Sequence, residues 1–240
     1  MSANWLNRHV YAHRGWHGDG RVENSPSAFR AAIGAGLGIE CDVQQSDRGV
    51  AVVFHDWDLD RLTAESGPVR DRSHVELAQV RLGASEDTIW TLRDLLDEVR
   101  GQVPLLIELK SRSRVPFAPL CASVAFHLDG YAGPAAVMSF DPRVVRWFAR
   151  NRSDTMRGLV VSETDAGPLR RRVALRHARP HFLAYDVRDL PSRFAAVQRA
   201  RGLPLLTWTV SDKARLETAR AFADAPIAEG KGLEEALRNR

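Results

Sequence analysis

Short apolar runs alternate with amphipathic stretches along this chain of 240 residues, and this alternation strongly constrains the fold. Runs rich in β-branched residues predict strands, whereas apolar residues spaced three or four positions apart predict helices. Strands that alternate with helices predict βα units and a parallel sheet. Eight such units follow one another with no Gly/Ser-rich linker between them. The sequence therefore predicts an α/β fold with one domain over 1–240, a single (β/α)8 barrel.

The predicted elements follow a regular order. Strands are predicted at 11–13, 39–45, 51–54, 104–107, 136–140, 158–161, 182–187, 205–210 and 226–228. The strand at 51–54 is an addition to the eight-strand pattern and follows a turn at 47–49. A first helix is capped by Ser25 or Ser27 and ends at Gly36. Further helices are predicted at 92–99, 117–128, 143–150, 169–177, 192–201, 213–222 and 233–238, and 57–84 is predicted to be loop-like with a short helix at 74–80.

The composition excludes several classes of protein. The formal net charge is +4, but nearly all 34 basic residues are Arg scattered among 30 acidic residues, which argues against a nucleic-acid partner. The dense patch at 170–172, followed by Arg176 and Arg179, predicts a solvated helix face, with a phosphate- or membrane-facing role as the alternative. No apolar run is long enough for membrane insertion, and the first eight residues lack the apolar core of a signal peptide. A cytoplasmic location is therefore predicted, while the oligomeric state stays open.

The two cysteines indicate neither a metal site nor a disulfide. Cys41 and Cys121 form no motif with metal-site spacing and no disulfide framework. Both are predicted to be reduced and packed inside the protein.

Two histidines stand at the ends of predicted strands. His13-Arg14-Gly15 directly follows the first strand, and its glycine permits close approach of the backbone to an anion. The apolar run at 52–54 places His55 at a second strand end, with Asp56 after it. Because active-site residues of (β/α)8 barrels lie at the C-terminal ends of strands, both histidines are candidates for catalysis.

Charged side chains also interrupt two apolar strands. Glu40 and Asp42 are two positions apart, so both carboxylates lie on one face of the second strand. Glu108 and Lys110 share one face after the apolar run at 104–107 in the same way. Two carboxylates buried together would repel each other and resist ionisation, and a divalent cation relieves both costs. Surface strands with salt bridges are the alternative, which the apolar flanking residues disfavour.

These residues are expected to converge at one mouth of the barrel. The set is His13, Glu40, Asp42, His55, Glu108 and Lys110. Three carboxylates with no cysteine ligand predict a hard cation, Mg²⁺ or Ca²⁺. Two imidazoles beside it would provide an acid and a base that work near neutral pH.

The motifs in this order resemble those of the glycerophosphodiester phosphodiesterase family. The matching segments are His13-Arg14-Gly15, Glu23-Asn24-Ser25, Glu40-x-Asp42, Val53-x-His55-Asp56, Leu59-x-Arg61-Leu62-Thr63, Ile107-Glu108-x-Lys110 and Trp208-Thr209-Val210. The resemblance covers most of the chain, and it implies the barrel of the phospholipase C-like phosphodiesterases.

The resemblance also implies a role for each position. Metal ligands would be Glu40, Asp42 and Glu108, and the general acid and base would be His13 and His55. Substrate and phosphate contacts would come from Arg14, Lys110, Glu23, Asn24 and Trp208, with Trp208 as an apolar wall for glycerol or, alternatively, an ordinary core residue. The family's last strand usually has the pattern Asp-Gly-Ile-Ile-Thr-Asp-x-Pro, from which 222–230 departs, so no site residue is assigned there.

The implied reaction is metal-dependent hydrolysis of a small phosphodiester to sn-glycerol 3-phosphate and an alcohol such as choline or ethanolamine. Attack by water and attack by the neighbouring glycerol hydroxyl both remain open, as does the assignment of acid and base between the histidines. One rival is a phospholipase D-like enzyme acting on lysophospholipids, although 57–84 has few large apolar residues to form a lipid-binding lip. The rival from another class is a non-catalytic barrel that binds anionic ligands.

Overall fold

The computed structural model describes residues 3–238. Its strands are β1 Tyr11–Ala12, β2 Gly38–Gln45, β3 Ala51–Val53, β4 Leu105–Leu109, β5 Ala135–Ser139, β6 Met156–Val161, β7 Phe182–Asp186, β8 Leu205–Val210 and β9 Ala225–Ala228. Its α-helices are α1 Pro26–Gly34, α2 His74–Leu77, α3 Leu92–Val99, α4 Ala118–Leu128, α5 Pro142–Asn151, α6 Pro168–Ala178, α7 Arg193–Ala200, α8 Lys213–Phe222 and α9 Gly230–Arg238.

The strand order confirms the predicted fold class. It runs β1-β9-β8-β7-β6-β5-β4-β2-β3, with a further pairing of β1 and β2. Among the described registers, β2 pairs with β3 in the antiparallel sense and the other pairs are parallel. Eight parallel strands with helices between them make a (β/α)8 barrel, and β3 is the added strand that the sequence predicts.

The contacts within the described residues group into two compact units, 14–135 and a second one formed by 1–13 with 136–240. In the second unit, parallel strands β6, β7 and β8 contribute to an apolar cluster that includes Leu159, Leu183 and Leu205. These strands are buried on both faces, which explains their nearly continuous apolar sequence.

No helix within residues 3–238 has the length and apolar composition needed to cross a membrane.

In the unit 14–135, strand β2 is buried along almost its whole length and lies between β3 and β4. Its register places Asp42 opposite Glu108 of β4. The predicted strand at 104–107 is too short: β4 continues to Leu109, because Glu108 stays in the parallel ladder despite its charge. Lys110 is the first residue after this strand.

The segment 57–84 is more ordered than the loop that the sequence predicts. It contains two 3₁₀ turns, at Leu59–Arg61 and Val69–Asp71, and the helix α2, which is shorter than the predicted 74–80. Five of its apolar side chains are buried together with Val52, Phe54 and Ile89; they are Leu59, Val69, Leu77, Val80 and Leu82. Most apolar residues of this segment therefore lie in a small core rather than on an exposed lip, and Val75 is an exposed exception.

The C-terminal end also differs from the prediction. The last helix begins at Gly230 instead of 233. A Cβ atom on Gly232 would lie 2.3 Å from the carbonyl oxygen of Val210, so this close approach of helix to strand requires glycine.

Candidate active site

Three carboxylates form the centre of the unit 14–135. Glu40 and Asp42 of β2 and Glu108 of β4 are all buried, and each offers an oxygen within 4.8 Å of the others. The cluster follows from two geometric facts. Residues two apart on a strand share a face, and the β2–β4 register puts Asp42 beside Glu108.

This crowding makes the ionised cluster costly. Burial raises the pKa of Glu40 well above its ordinary value, and the neighbouring charges of Asp42 and Glu108 raise it further. Arg14 counteracts this rise in the pKa through its positive charge and through its backbone N–H, which donates to Glu40 Oε2 at 3.0 Å. A site that disfavours its own negative charge in this way is typical of one built to hold a cation.

Two basic side chains balance part of the charge. Arg14 Nε lies 3.1 Å from Asp42 Oδ2, and Lys110 Nζ lies 3.3 Å from Asp42 Oδ1 and 3.0 Å from Glu108 Oε1. Burial lowers the pKa of Lys110, but the charges of Glu108 and Asp42 outweigh it and raise the pKa above its ordinary value. When all five groups are ionised, three negative charges face two positive ones, so the set fits a divalent cation with oxygen ligands such as Mg²⁺ or Ca²⁺.

The loop after β1 is shaped to bring Arg14 to the carboxylates. Arg14 and Gly15 both have positive φ, at 55° and 79°. A Cβ on Gly15 would lie 3.0 Å from the Cβ of Ala28, so glycine permits the loop to pack on α1. In the motif at 13–15, the close packing of the loop on α1 thus requires the glycine, and the arginine provides a positive charge beside the carboxylates.

Glu23 and Asn24 form hydrogen bonds with side chains of the site, namely Arg14 and Asp42. Asn24 is buried; its amide donates to Asp42 Oδ2 at 3.0 Å, and its oxygen accepts from the Asp42 backbone N–H at 3.2 Å. Glu23 accepts from Arg14 Nη1 at 2.6 Å. Burial raises the pKa of Glu23, but hydrogen bonds from Arg61 and Arg14 outweigh it and hold the pKa below its ordinary value. Asn24 thus orients Asp42, and Glu23 orients Arg14.

His55 is held by the residue that follows it. Its Nδ1 lies 2.7 Å from Asp56 Oδ1, and Arg61 contacts the same carboxylate through Nε at 2.5 Å and Nη2 at 2.9 Å. The hydrogen bond from Arg61 is the main reason that the pKa of Asp56 falls to about 2. Since an ionised carboxylate only accepts, Nδ1 carries the hydrogen and Nε2 keeps its lone pair.

The electrostatic surroundings of His55 favour its neutral form. Burial lowers its pKa, and the charges of Lys110 and Arg14 lower it further, against opposing effects of Asp42 and Asp56. Arg61 also donates to both carboxylate oxygens of Glu23, at 3.0 Å and 2.7 Å. Continuous contacts therefore join His55 to Arg14 through Asp56, Arg61 and Glu23.

In the other unit, His13 is oriented by Glu229, a residue outside the predicted site. Its Nδ1 lies 2.6 Å from Glu229 Oε2, and its backbone N–H donates to Ala228 at 2.9 Å. Glu229 directly follows β9, in the segment to which no site residue was assigned. Each candidate histidine is thus held through Nδ1 by a carboxylate, which orients its ring.

A family model for the glycerophosphoryl diester phosphodiesterase family matches residues 13–228. The chain belongs to this family. Glu229 stands where the family pattern has its second aspartate, so aligning the pattern from Asp224 forward places an acidic residue at this position.

Several relatives support the family assignment. A glycerophosphodiester phosphodiesterase of Bacillus altitudinis is 37% identical over 111 residues, which are 42% of this chain and 45% of the relative. A glycerophosphodiester phosphodiesterase of Caldanaerobacter subterraneus is 32% identical over 117 residues, which are 46% of this chain and 47% of the relative. The chain thus aligns with less than half the length of these curated relatives.

Solved structures of glycerophosphodiester phosphodiesterases share the fold. One from Thermotoga maritima is 25% identical with a TM-score of 0.79, covering 96% of this chain and 97% of that one. An Oleispira antarctica phosphodiesterase in complex with the product sn-glycerol-3-phosphate has a TM-score of 0.85 at 23% identity, with 97% of both chains covered. The second likeness concerns the fold alone.

Trp208, the remaining predicted family residue, lies on β8 and is only partly buried. Its indole N–H donates to the carbonyl of Ala184 at 3.0 Å, which fixes the ring. Phe140 packs edge-on against it with ring centroids 5.3 Å apart, and Phe140 is itself 42% exposed. The two rings form a small apolar surface rather than part of a closed core.

Proposed function

We propose that the protein hydrolyses glycerophosphodiesters to sn-glycerol 3-phosphate and an alcohol with the help of one divalent cation, Mg²⁺ or Ca²⁺. The observation that supports this most is the buried cluster of Glu40, Asp42 and Glu108, in contact with Arg14 and Lys110, in a member of this family. The Oleispira relative with bound sn-glycerol-3-phosphate supports the same product.

The cation would be held by the oxygens of Glu40, Asp42 and Glu108. When bound, it would neutralise a non-bridging phosphate oxygen and so make phosphorus easier to attack. Arg14 and Lys110 would hold the other phosphate oxygens and stabilise the negative charge that grows on them in the transition state. Charge-assisted hydrogen bonds of this kind are short and strong, and guanidinium groups match phosphate geometry well.

His13 and His55 would move the protons. One imidazole would take a proton from the nucleophile through Nε2, and the other would deliver a proton to the departing alcohol oxygen. General acid–base catalysis of this kind accelerates a reaction by roughly 10²–10⁴-fold. Glu229 and Asp56 would keep each ring in the tautomer with Nδ1–H. Glu23 and Asn24 would position Arg14 and Asp42, and Trp208 would form an apolar wall for the glycerol part.

The experiment that tests this proposal is an assay of glycerophosphocholine and glycerophosphoglycerol hydrolysis with and without a chelator. We expect EDTA to remove activity and Mg²⁺ or Ca²⁺ to restore it. Asp42→Asn, and His13→Ala combined with His55→Ala, should each lower kcat/KM by at least about 10³-fold. Asp97→Asn is the matched control, because Asp97 is exposed and pairs with Arg93 on α3.

Full activity in EDTA, or in the double histidine variant, would contradict the proposal.

A cytoplasmic location and the absence of a nucleic-acid partner stay predictions from the sequence.

A further inference from the structure

A cavity of about 70 Å³ opens in the unit 14–135 beside the carboxylate cluster. Lys110 connects the two, since it lines the cavity and its ammonium contacts both Asp42 and Glu108. The other walls come from the end of β2, the segment that begins at Trp57, and the loop between β4 and α4. A molecule that fills this cavity is therefore separated from the candidate metal ligands by the Lys110 side chain alone.

The lining of the cavity is cationic. It includes Arg70, Lys110 and Arg112, and among the described residues that line it there is no Asp or Glu. Arg70 has Asp71 3.5 Å away, which offsets part of its charge. Arg112 has no ion pair within residues 3–238, and its guanidinium lies over the Trp57 ring at 5.7 Å. A quaternary ammonium would therefore meet repulsion here, and the aromatic face that could attract it already contacts a cation.

One buried acceptor points to a ligand that donates hydrogen bonds. Gln45 lines the cavity, and its side-chain oxygen is buried with no hydrogen-bond partner within the described part of the chain. Leaving such an acceptor unpaired costs free energy that a donor from a ligand restores. A hydroxyl group can supply that donor, whereas a trimethylammonium group has none.

The size of the cavity limits its occupant. A volume of about 70 Å³ accommodates roughly five to seven water-sized groups, which is about the size of glycerol. The cavity therefore suits a small alcohol.

We propose that this cavity receives the alcohol part of the glycerophosphodiester and selects an uncharged polyol such as glycerol over choline. The inference rests on the proposed function, and it names the substrate class of that same site. Gln45 provides the acceptor for a hydroxyl group, and Arg112 excludes a cationic alcohol.

The test compares kcat/KM for glycerophosphoglycerol with kcat/KM for glycerophosphocholine, using the full chain loaded with Mg²⁺ or Ca²⁺. We expect the ratio of the two values to be about 10 or more. Gln45→Leu should lower this ratio about 5- to 10-fold, the effect of losing one hydrogen bond to a buried acceptor. Arg112→Gln should lower it about 3-fold at low salt and less at high salt, because the repulsion is screened.

Arg114→Gln is the matched control, because Arg114 lies in the same loop but does not line the cavity. Its ratio should equal that of the unmodified protein. A ratio at or below one, or a ratio unchanged in both Gln45→Leu and Arg112→Gln, would overturn the inference while the proposed function stands. Failure to hydrolyse either diester at any metal concentration would overturn both. Exposed Arg112 can be replaced without disturbing the core, so the test does not depend on the folding of the Gln45 variant.

Discussion

At the scale of single residues, the carboxylate cluster determines how this site should respond to pH. Glu40 is buried beside Asp42 and Glu108, and its pKa lies well above its ordinary value. A group with this shift remains protonated to a higher pH than an exposed glutamate does. A cation binds only the ionised carboxylate, so cation binding and proton release are linked at this position.

We therefore predict that Ca²⁺ or Mg²⁺ binds more weakly as the pH falls toward the raised pKa of Glu40. Below that pKa, affinity should drop about tenfold per pH unit, since one proton must leave for each cation bound. Isothermal titration calorimetry between pH 5 and 8, in two buffers of different ionisation enthalpy, measures both the affinity and the protons released. Affinity that does not change with pH, with no proton release, would contradict this linkage.

The contact between His55 and Asp56 is a second feature at this scale. Asp56 fixes the hydrogen on Nδ1, and Arg61 keeps this carboxylate ionised down to a pKa of about 2. We predict that Asp56→Asn lowers kcat by at least about 10-fold, because the amide can stabilise the wrong tautomer of the imidazole.

The measurement is kcat with saturating metal, together with the pH profile of kcat/KM. The profile distinguishes a positioning role from a purely structural one, because the limb that belongs to His55 should move. Asp58→Asn is a suitable control, since Asp58 is exposed two residues away. An unchanged rate and profile in Asp56→Asn would show that the contact does not orient His55 for a role in catalysis.

At the scale of elements, the segment 57–84 holds Arg61 in place through its own small core. Leu77 of α2 is fully buried in that core, whereas Val75 on the same helix is 63% exposed. We predict that Leu77→Ala lowers the free energy of unfolding by about 2–5 kcal/mol, because it leaves a cavity among apolar neighbours. Val75→Ala should change it by less than about 0.5 kcal/mol.

Urea denaturation measures the free energy of unfolding of both variants. Leu77→Ala should also lower kcat/KM, because a loosened segment no longer holds Arg61 against Asp56 and Glu23. Equal effects of the two substitutions on stability would show that this segment has no core of its own.

At the scale of the whole molecule, a bound cation should stabilise the folded chain. A ligand that binds only the native state stabilises it by about 2.7 kcal/mol at 100 times its Kd. For a chain of this length we predict a rise in Tm of about 5–11 °C, at about 2–4 °C per kcal/mol. Asp42→Asn should abolish the rise and Asp97→Asn should retain it, as measured by calorimetry with and without EDTA. A rise in Tm of the same size in Asp42→Asn would show that the cation binds outside the carboxylate cluster.

The sequence alone predicted the elements well, because their patterns depend on local spacing and burial. Strands at 39–45 and 205–210 lie within one residue of β2 and β8. The ends of elements were less predictable. Glu108 belongs to β4 because its parallel neighbour β2 continues the ladder. The helix α9 already begins at Gly230, and Gly232 in its first turn lies close to the backbone of Val210. The prediction of one domain stays a prediction.

The candidate metal ligands, the two histidines and the basic residues beside them could all be named from the sequence, because a charge on an apolar strand is conspicuous wherever that strand lies. Which side chains pair with one another could not be predicted from it. Glu229 is 216 residues from His13, and Arg61 contacts both Asp56 and Glu23, which lies 38 residues before it. Hydrogen bonds between distant residues depend on where the folded backbone brings them, and local spacing contains no such information. The chemistry of the site was thus determined by residue types along the strands, and its orientation by the tertiary structure.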